Sequence, residues 1–502
     1  MKGRWILLCL LLLSSVLVNA QQIIFSQPLR EDDRDMNFDI IGKMKKNILV
    51  FKSFRSRYAL NIYNDSMDLK ERIDLDFLPA RTFNVDYVAY PDHFYLIYQY
   101  QRKGILHCMA AKMDADGHGV GEPVELDTTS VGIMGDNKIY TAINSEDKKK
   151  IMVFKAQRKD DRLHFVTQLF DNEFKLLHKT KTSIPYNERK DVLSDFYLDN
   201  AGNLVFNLAK QRTTREHPSS VLLITKAPEV DTFRIHELNL NKNYVDDLKV
   251  KVDNLNKKYI IGTFYYKDRT DNIQGLMVNV FNAETDSVES GVFTEFSDEL
   301  RSMVRSSGNI RYAFNDFFLR SLVLKKDGSF IITAEDFSSQ TSGGGWNRYD
   351  YLYGSPFLSP YDYYSYSSPY GYYYRPFGSF NQSVRYYYDN ILVINMSPKG
   401  MPEWSSVIHK QQFADGNDNY LSYSTFNSGS ELHFIFNDIS KRDKLLSDNI
   451  VTNDGSTRRN PTLKTNERDY EFMPRFAKQI AARQLIVPCT YRGQICFAKV
   501  YF

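Results

Sequence analysis

The chain is poor in the residues on which disulfide frameworks and thiolate metal sites depend. Its 502 residues include 4 cysteines, and no two of them form a Cys-x-x-Cys pair. One of the four, Cys9, lies in an apolar N-terminal segment, so three remain for the rest of the chain. A disulfide-rich secreted scaffold and a cysteine-based zinc module are therefore excluded.

An excess of charge of either sign is also missing. Lys and Arg together number 64 against 61 Asp and Glu, which gives a formal net charge of +3 at pH 7. Such a balance provides no overall attraction to a polyanion. We therefore predict no nucleic-acid partner.

Long apolar runs are absent after the N-terminus. Residues 1–20 have a basic start at Lys2 and Arg4, an apolar core and a small residue, Ala20, at the end, which together predict a secretory signal peptide. No later segment approaches the roughly 18 apolar residues of a membrane-spanning helix. We expect an exported protein without a transmembrane helix after cleavage. The sequence leaves open whether it is periplasmic, extracellular or associated with an outer membrane.

What the chain does have is a repeated apolar run that is rich in β-forming residues. Five of the seven intervals between the starts of these runs are 47–56 residues, and the longest interval contains a low-complexity segment. The runs are NILVFKSF from Asn47, FYLIYQYQ from Phe94, KIMVFKAQ from Lys150, LVFNLAKQ from Leu204, YIIGTFYY from Tyr259, FIITAEDF from Phe330, LHFIFNDI from Leu432 and LIVPCTYR from Leu485. Repeats of this length, with about four strands each, are typical of propellers.

The runs are apolar on both faces, as expected for strands that are covered by a sheet on each side. The chain therefore resembles the β-propeller architecture, with seven to eight four-stranded antiparallel blades over residues 21–502. The last repeat has room for three strands, so we expect the N-terminal segment QQIIFSQ to supply the fourth and close the ring. No specific propeller family is identified.

One alternative fold is an outer-membrane β-barrel. The chain ends in an alternating strand with a terminal aromatic residue, QICFAKVYF. Lipid-facing strands alternate apolar and polar residues. The continuous apolar runs and the lysine-rich turns fit that pattern poorly, so the propeller is the preferred interpretation.

Arginines follow the apolar runs in every repeat. The loop after the second strand of a blade opens on the face that also carries the connections between blades, so these loops should share one face. Arginine binds carboxylate and phosphate groups well, although the same loops contain balancing Asp and Glu. The candidate binding residues are Arg55, Arg102, Arg158, Arg212, Arg269, Arg442 and Arg492.

The sixth repeat contains an insertion, residues 338–390, rich in Tyr, Gly, Ser and Pro. Fourteen tyrosines lie between Tyr349 and Tyr388. Tyrosine with Ser and Gly is typical of adaptable binding loops, and a flexible spacer is the alternative. The candidate contact residues are Trp346, Tyr363, Tyr364, Tyr372 and Tyr373.

Recognisable catalytic motifs are missing. There is no G-x-S-x-G, no H-E-x-x-H and no phosphate-binding glycine loop, and we predict no cofactor and no metal. Glu335, Asp336 and Asp438 end apolar runs in neighbouring repeats, so they are weak candidates for the paired carboxylates that hydrolases use.

Two cysteines near the C-terminus are predicted to face each other. Cys489 and Cys496 flank the turn Arg492-Gly493, and a two-residue loop there places them directly opposite one another. The pair can form a disulfide in an oxidising compartment. Two buried thiols are the alternative, because this register makes them a hydrogen-bonded pair.

Together these features predict an exported, non-enzymatic binding or scaffold propeller of a cell envelope. Its partner would be a protein or an anionic glycan, held on an arginine-rich face beside the tyrosine-rich loop. The alternative is a secreted polysaccharide hydrolase or lyase that uses the rim carboxylates.

Overall fold

The computed structural model describes most of the chain after the N-terminal segment. The described residues are 22–28, 36–54, 57–80, 82–131, 139–187, 189–194, 196–213, 216–269, 272–305, 309–341, 346–353, 384–429, 431–440, 443–461 and 469–502. The predicted signal peptide lies outside these ranges. No helix among the described residues is long and apolar enough to cross a membrane.

The strands form eight separate antiparallel sheets, as in an eight-bladed propeller, and seven of them are built from consecutive segments of the chain. Blade 1 contains β2 (Met36–Met44), β3 (Asn47–Phe54), β4 (Arg57–Tyr63) and β5 (Leu69–Asp74), and blade 2 contains β6 (Thr82–Ala89), β7 (His93–Arg102), β8 (Ile105–Asp114) and β9 (Val124–Ser130). Blade 3 contains β10 (Tyr140–Asn144), β11 (Lys150–Lys159), β12 (Arg162–Asp171) and β13 (Leu176–Pro185). Blade 4 contains β14 (Asp191–Leu193), β15 (Tyr197–Leu198), β16 (Leu204–Lys210), β17 (Ser220–Lys226) and β18 (Arg234–Leu238).

Blades 5 to 8 follow the same order, and the last one takes its fourth strand from the N-terminus. Blade 5 contains β19 (Tyr244–Asp253), β20 (Lys258–Tyr266), β21 (Gly275–Asn282) and β22 (Ser287–Glu295), and blade 6 contains β23 (Phe317–Leu324), β24 (Phe330–Thr341), β25 (Val384–Met396) and β26 (Pro402–Ile408), with β27 (Gln412–Asp415) beside β25. Blade 7 contains β28 (Tyr423–Asn427), β29 (Glu431–Ser440), β30 (Asp443–Thr452) and β31 (Thr457–Arg459). Blade 8 contains β32 (Tyr470–Phe472), β33 (Lys478–Ala481), β34 (Gln484–Tyr491), β35 (Gln494–Tyr501) and the N-terminal β1 (Gln22–Phe25).

Short helices occupy the connections around blades 5, 6 and 8. They are α1 (Asp298–Val304), α2 (Arg348–Tyr353) and two 3-10 turns at Ile310–Tyr312 and Pro474–Phe476. Ser297 caps α1 by accepting a hydrogen bond from the Leu300 N–H.

Each predicted apolar run is the second strand of a blade. The first six residues of β3 are all buried, whereas the fourth strand β5, with the sequence LKERID, is almost fully exposed. Adjacent blades pack face to face, and Phe154, Phe165 and Phe206 meet between blades 3 and 4 with ring centroids 5.6–6.4 Å apart. Burial of each such side chain contributes about 1.5–3 kcal/mol. The inter-blade core explains why these strands are apolar on both faces.

The ring is closed as the sequence predicts. Strand β1 pairs antiparallel with β35, from Gln22 opposite Tyr501 to Phe25 opposite Ala498. The N–H of Ser26 also donates to the carbonyl of Phe497, at 2.9 Å. The N-terminal strand thus covers the edge that blade 8 would otherwise expose.

Blade 6 differs from its neighbours because its central hairpin continues beyond the blade. Residues 337–341 of β24 pair with residues 384–388 of β25, and β27 pairs with the same upper part of β25. The predicted insertion interval therefore begins and ends within paired strands, and the segment 354–383 between them lies outside the described residues.

Candidate functional site

One face of the propeller carries the loops between the second and third strands of each blade together with the connections between blades, and it is called the loop face. On this face a cleft of about 670 Å³ lies between blades 6 and 7. Its volume is in the range of ligand pockets. The lining residues are predominantly polar: Met303, Val304, Asp336, Asp389, Asn390, His409, Lys410, Gln411, Phe436, Asn437, Asp438, Ser447, Asn449 and Arg459.

The cleft forms where the regular pairing of blade 6 is interrupted. In the β24–β25 ladder Glu335 pairs with Ile391 and Phe337 with Tyr388, so Asp336 lies at a β-bulge. The outer strand is interrupted at the same level, because β26 ends at Ile408 and β27 begins at Gln412. A bulge redirects a side chain and ends local pairing. Here it leaves Asp336 beside residues 389–390 at the cleft.

Asp336 is the most perturbed carboxyl of the cleft. Burial, followed by the nearby carboxylates Asp316 and Asp389, raises its pKa from the ordinary value of 3.8 to about 8. Among the described residues no side chain donates a hydrogen bond to this carboxyl or forms an ion pair with it. Asp336 is therefore protonated at neutral pH and available to a ligand.

The neighbouring Asp389 is a second carboxyl with limited partners. Burial raises its pKa above the ordinary value, and Lys410 opposes the shift. The N–H of Gln412 lies 3.4 Å from Oδ1 of Asp389. Beside it, the Nδ2 group of Asn390 donates to the carbonyl of Val304 at 2.9 Å, which attaches β25 to α1.

The opposite wall comes from blade 7. Arg459 donates to Oδ2 of Asp438 at 2.5 Å, and both side chains are partly exposed. The Nδ2 group of Asn437 donates to the carbonyls of Tyr420 and Phe472, whereas its buried Oδ1 has no hydrogen-bond partner. This wall offers amides and an ion pair to a ligand.

Glu335 has a different position from the other two predicted carboxylates. It is fully buried, forms an ion pair with Lys410 at 2.8 Å, and accepts hydrogen bonds from Arg320 at 2.9 Å and Ser422 at 2.6 Å. Burial opposes ionisation, but Lys410 and Arg320 outweigh it and keep the pKa of Glu335 below its usual value. Lys410 also donates to the carbonyl of Tyr388 at 2.8 Å. Glu335 thus supports the cleft floor, while Asp336 and Asp438 line the cleft.

The predicted contact residue Trp346 lies at the base of the extended hairpin. Its indole N–H donates to Asp316 at 2.6 Å, and its ring packs edge-on against Phe337 with centroids 5.3 Å apart. Two residues later Arg348 donates to both carboxylate oxygens of Asp246, at 2.7 and 3.0 Å, and lies over the ring of Phe318. These contacts fix the start of α2 onto blades 5 and 6.

The described members of the predicted arginine set are exposed on the loop face, one each in blades 2, 3, 4, 5 and 8. Arg269 pairs with Glu216 at 3.0 Å and Arg492 with Asp469 at 2.9 Å. Arg102 and Arg212 have no ion-pair partner among the described residues. Arg158 is the fifth described arginine of the set and is also exposed. The structure distributes these arginines around the ring. Outside the described residues lie Arg55, Arg442, Tyr363, Tyr364, Tyr372 and Tyr373.

The two C-terminal cysteines have the predicted register. Cys489 lies directly opposite Cys496 in the β34–β35 ladder, and both are fully buried with Sγ atoms 2.7 Å apart. Burial raises the pKa of the Cys489 thiol well above its usual value. The disulfide stays a prediction.

Sequence reasoning missed Asp389, Lys410 and Asn437 as parts of the cleft. The only local signal was Asp389-Asn390, a polar pair that interrupts the apolar strand VRYYYDNILVINM. Such a pair in the middle of a strand is compatible with a bulge.

No protein-family model matches the chain, and no curated protein matches it. Among solved structures, the polysaccharide lyase Uly1 is similar at a TM-score of 0.42 and 11 % identity, over 83 % of this chain and 89 % of the lyase. Prolyl oligopeptidase B from Galerina marginata is similar at 0.39 and 10 % identity, over 94 % of this chain and 56 % of the peptidase. The β-propeller domain of Nup133 from Vanderwaltozyma polyspora is similar at 0.38 and 9 % identity, over 83 % of this chain and all of that domain. At these identities the likeness is one of fold alone.

Proposed function

We propose that this protein is an exported binding propeller of a cell envelope, and that it holds a glycan in the cleft between blades 6 and 7. The observation that supports this most directly is the unpartnered carboxyl of Asp336 at a β-bulge inside a polar cleft. Buried polar groups without partners are uncommon in folded proteins and are often found at functional sites. A ligand group would complete the hydrogen bonding there.

The chemistry of the lining favours a polyhydroxylated ligand. Asn390, Asn449 and Gln411 present planar amides, and His409 and Ser447 add further donors and acceptors. Sugar hydroxyls both donate and accept hydrogen bonds, so several of them can bind such a wall together. The arginines on the other blades, among them Arg102 and Arg212, would then contact acidic groups of the same partner.

Calorimetric titration with a panel of neutral, acidic and amino oligosaccharides tests this function. Asp336→Ala combined with Asn449→Ala should abolish binding of whichever saccharide the wild type retains. Charge reversal of Arg102, Arg158 and Arg212 should weaken only acidic saccharides, and less so at high salt. Unchanged binding by the Asp336→Ala/Asn449→Ala variant would exclude the cleft as the glycan site.

The second candidate is hydrolysis of a polysaccharide in the same cleft. It is supported by the combination of Asp336, whose pKa of about 8 keeps it protonated at neutral pH, with the arginine-paired Asp438 across the cleft. A proton donor and a second carboxyl group are what glycosidases need. Asp336→Asn should abolish turnover of any substrate found but preserve its binding. Full turnover by that variant would dismiss the mechanism.

A further inference from the structure

The cleft has more carboxyl groups than available cations. Asp336 on β24 and Asp389 on β25 line the cleft, and Asp316, just before β23, is near enough to help raise the pKa of Asp336. Asp316 accepts a single side-chain hydrogen bond, from Trp346, and Asp336 accepts none among the described residues. Burial raises the pKa of all three. The nearby cations, Lys410 for Asp336 and Asp389, and Arg348 and Arg305 for Asp316, oppose the shift without cancelling it.

The cations that face this group are already engaged. The ammonium of Lys410 lies 2.8 Å from Glu335 and also donates to Tyr388 and Gln412. Arg320 donates to Glu335 as well. Across the cleft Arg459 is paired with Asp438. The remaining basic side chain on the lining is His409, which is exposed and lies 3.3 Å from the amide oxygen of Asn390.

We infer that the group bound beside Asp336 and Asp389 is a protonated amine of the ligand, and that the glycan is one with free amino groups. The inference rests on the proposed glycan-binding function and adds the charge of the ligand. An ammonium has three donors. It can donate to both carboxyls and to a neighbouring oxygen, and its positive charge favours the ionised form of Asp336, which releases its proton to solvent on binding.

A metal ion fits this place less well than an organic cation. Among the described residues no group of three or more His, Cys, Asp or Glu side chains is arranged to hold a metal. Divalent calcium needs six to eight oxygen ligands at short distance. Two half-buried carboxyls that line the cleft instead match an amine that brings its own sugar hydroxyls.

The inference can be tested with two saccharides that differ in one group. Hexamers of glucosamine and of N-acetylglucosamine share chain length and hydroxyls, but only the first has amines. Titrations at about pH 6, where such amines are largely protonated, compare the wild type, Asp336→Asn/Asp389→Asn and Asp415→Asn. The last variant removes an exposed loop-face carboxylate outside the cleft, which pairs with Arg385, and controls for general charge attraction.

We expect the wild type and Asp415→Asn to bind the amino hexamer at least about tenfold more tightly than the acetylated one, a difference of ~1.4 kcal/mol. The double variant should lose that preference and bind the two hexamers with equal affinity. Equal affinity of the wild type for the two hexamers would overturn the amine inference but leave the glycan proposal standing. Binding of neither hexamer would count against both. A preference that persists in the double variant, or that disappears when a chelator is added, would also overturn the inference.

Discussion

Replacement of Asp336 by Asn should stabilise the folded protein, and increasingly so as the pH rises. The pKa of Asp336 is about 8 in the folded state against an ordinary value of 3.8, so between these values the unfolded chain binds one proton fewer than the folded protein. Stability then falls as pH rises through that window, by ~1.4 kcal/mol for each pH unit. At pH 7 the cost of the carboxyl reaches about 4 kcal/mol, and Asn, which carries no charge, removes it.

Urea denaturation at pH 5 and pH 8 measures this effect. The difference in unfolding free energy between Asp336→Asn and the wild type should be larger at pH 8 than at pH 5 by up to about 4 kcal/mol. Asp415→Asn is the control, because that carboxylate is exposed and paired with Arg385, and it should show no growing advantage over this range. If Asp336→Asn is destabilised to the same extent at both pH values, Asp336 is an ionised, partnered residue and the account of the cleft is wrong.

Three further predictions concern the support of the site and the closing blade. Glu335→Gln should lower the unfolding free energy by about 3–5 kcal/mol, because Lys410 would remain buried without its anion; a loss below ~1 kcal/mol in denaturation would contradict the network. Arg348→Lys should cost about 2–4 kcal/mol in the same assay, since lysine cannot form the two-point contact with Asp246, and equal stability would show that α2 is held by other contacts. Cysteine alkylation after denaturation of protein exported to an oxidising compartment should modify Cys108 but not Cys489 and Cys496 unless a reductant is added; modification of all three without reductant would show two free thiols.

The propeller could be predicted from the sequence because its determinants are local and repeated. Each second strand is apolar on both faces, as in NILVFKSF from Asn47, and each is flanked by short polar turns. The closing strand β1 was predictable because the last repeat lacked a fourth strand. The register of Cys489 and Cys496 followed from the two-residue turn between them.

The cleft could not be predicted to the same depth because its residues are distant in sequence. Asp336 and Asp438 were identified as the ends of apolar runs, and both line the cleft. Glu335, adjacent to Asp336, has a different environment because a bulge separates the two side chains. Asp389 lies at the far end of the insertion, residues 338–390, and Asp336 lies just before its start. Their proximity depends on how the hairpin pairs across that insertion, which sequence spacing does not reveal.

The cleft and the insertion are consequences of one departure from the repeat. In blade 6 the central hairpin of β24 and β25 extends beyond the sheet. The outer edge of β25 therefore pairs with two separate strands, β26 and β27, which are divided by residues 409–411. At that level Lys410 forms an ion pair with Glu335, and Asp336 and Asp389 have no partner residue in the β24–β25 ladder. In blades 2, 3 and 8 the same hairpin ends in a two-residue turn, and one continuous fourth strand pairs with the third strand, with a register shift in blades 2 and 3. The polar cleft therefore lies where it does because the sixth blade carries the insertion, and changes to the hairpin should alter the cleft before they alter the ring.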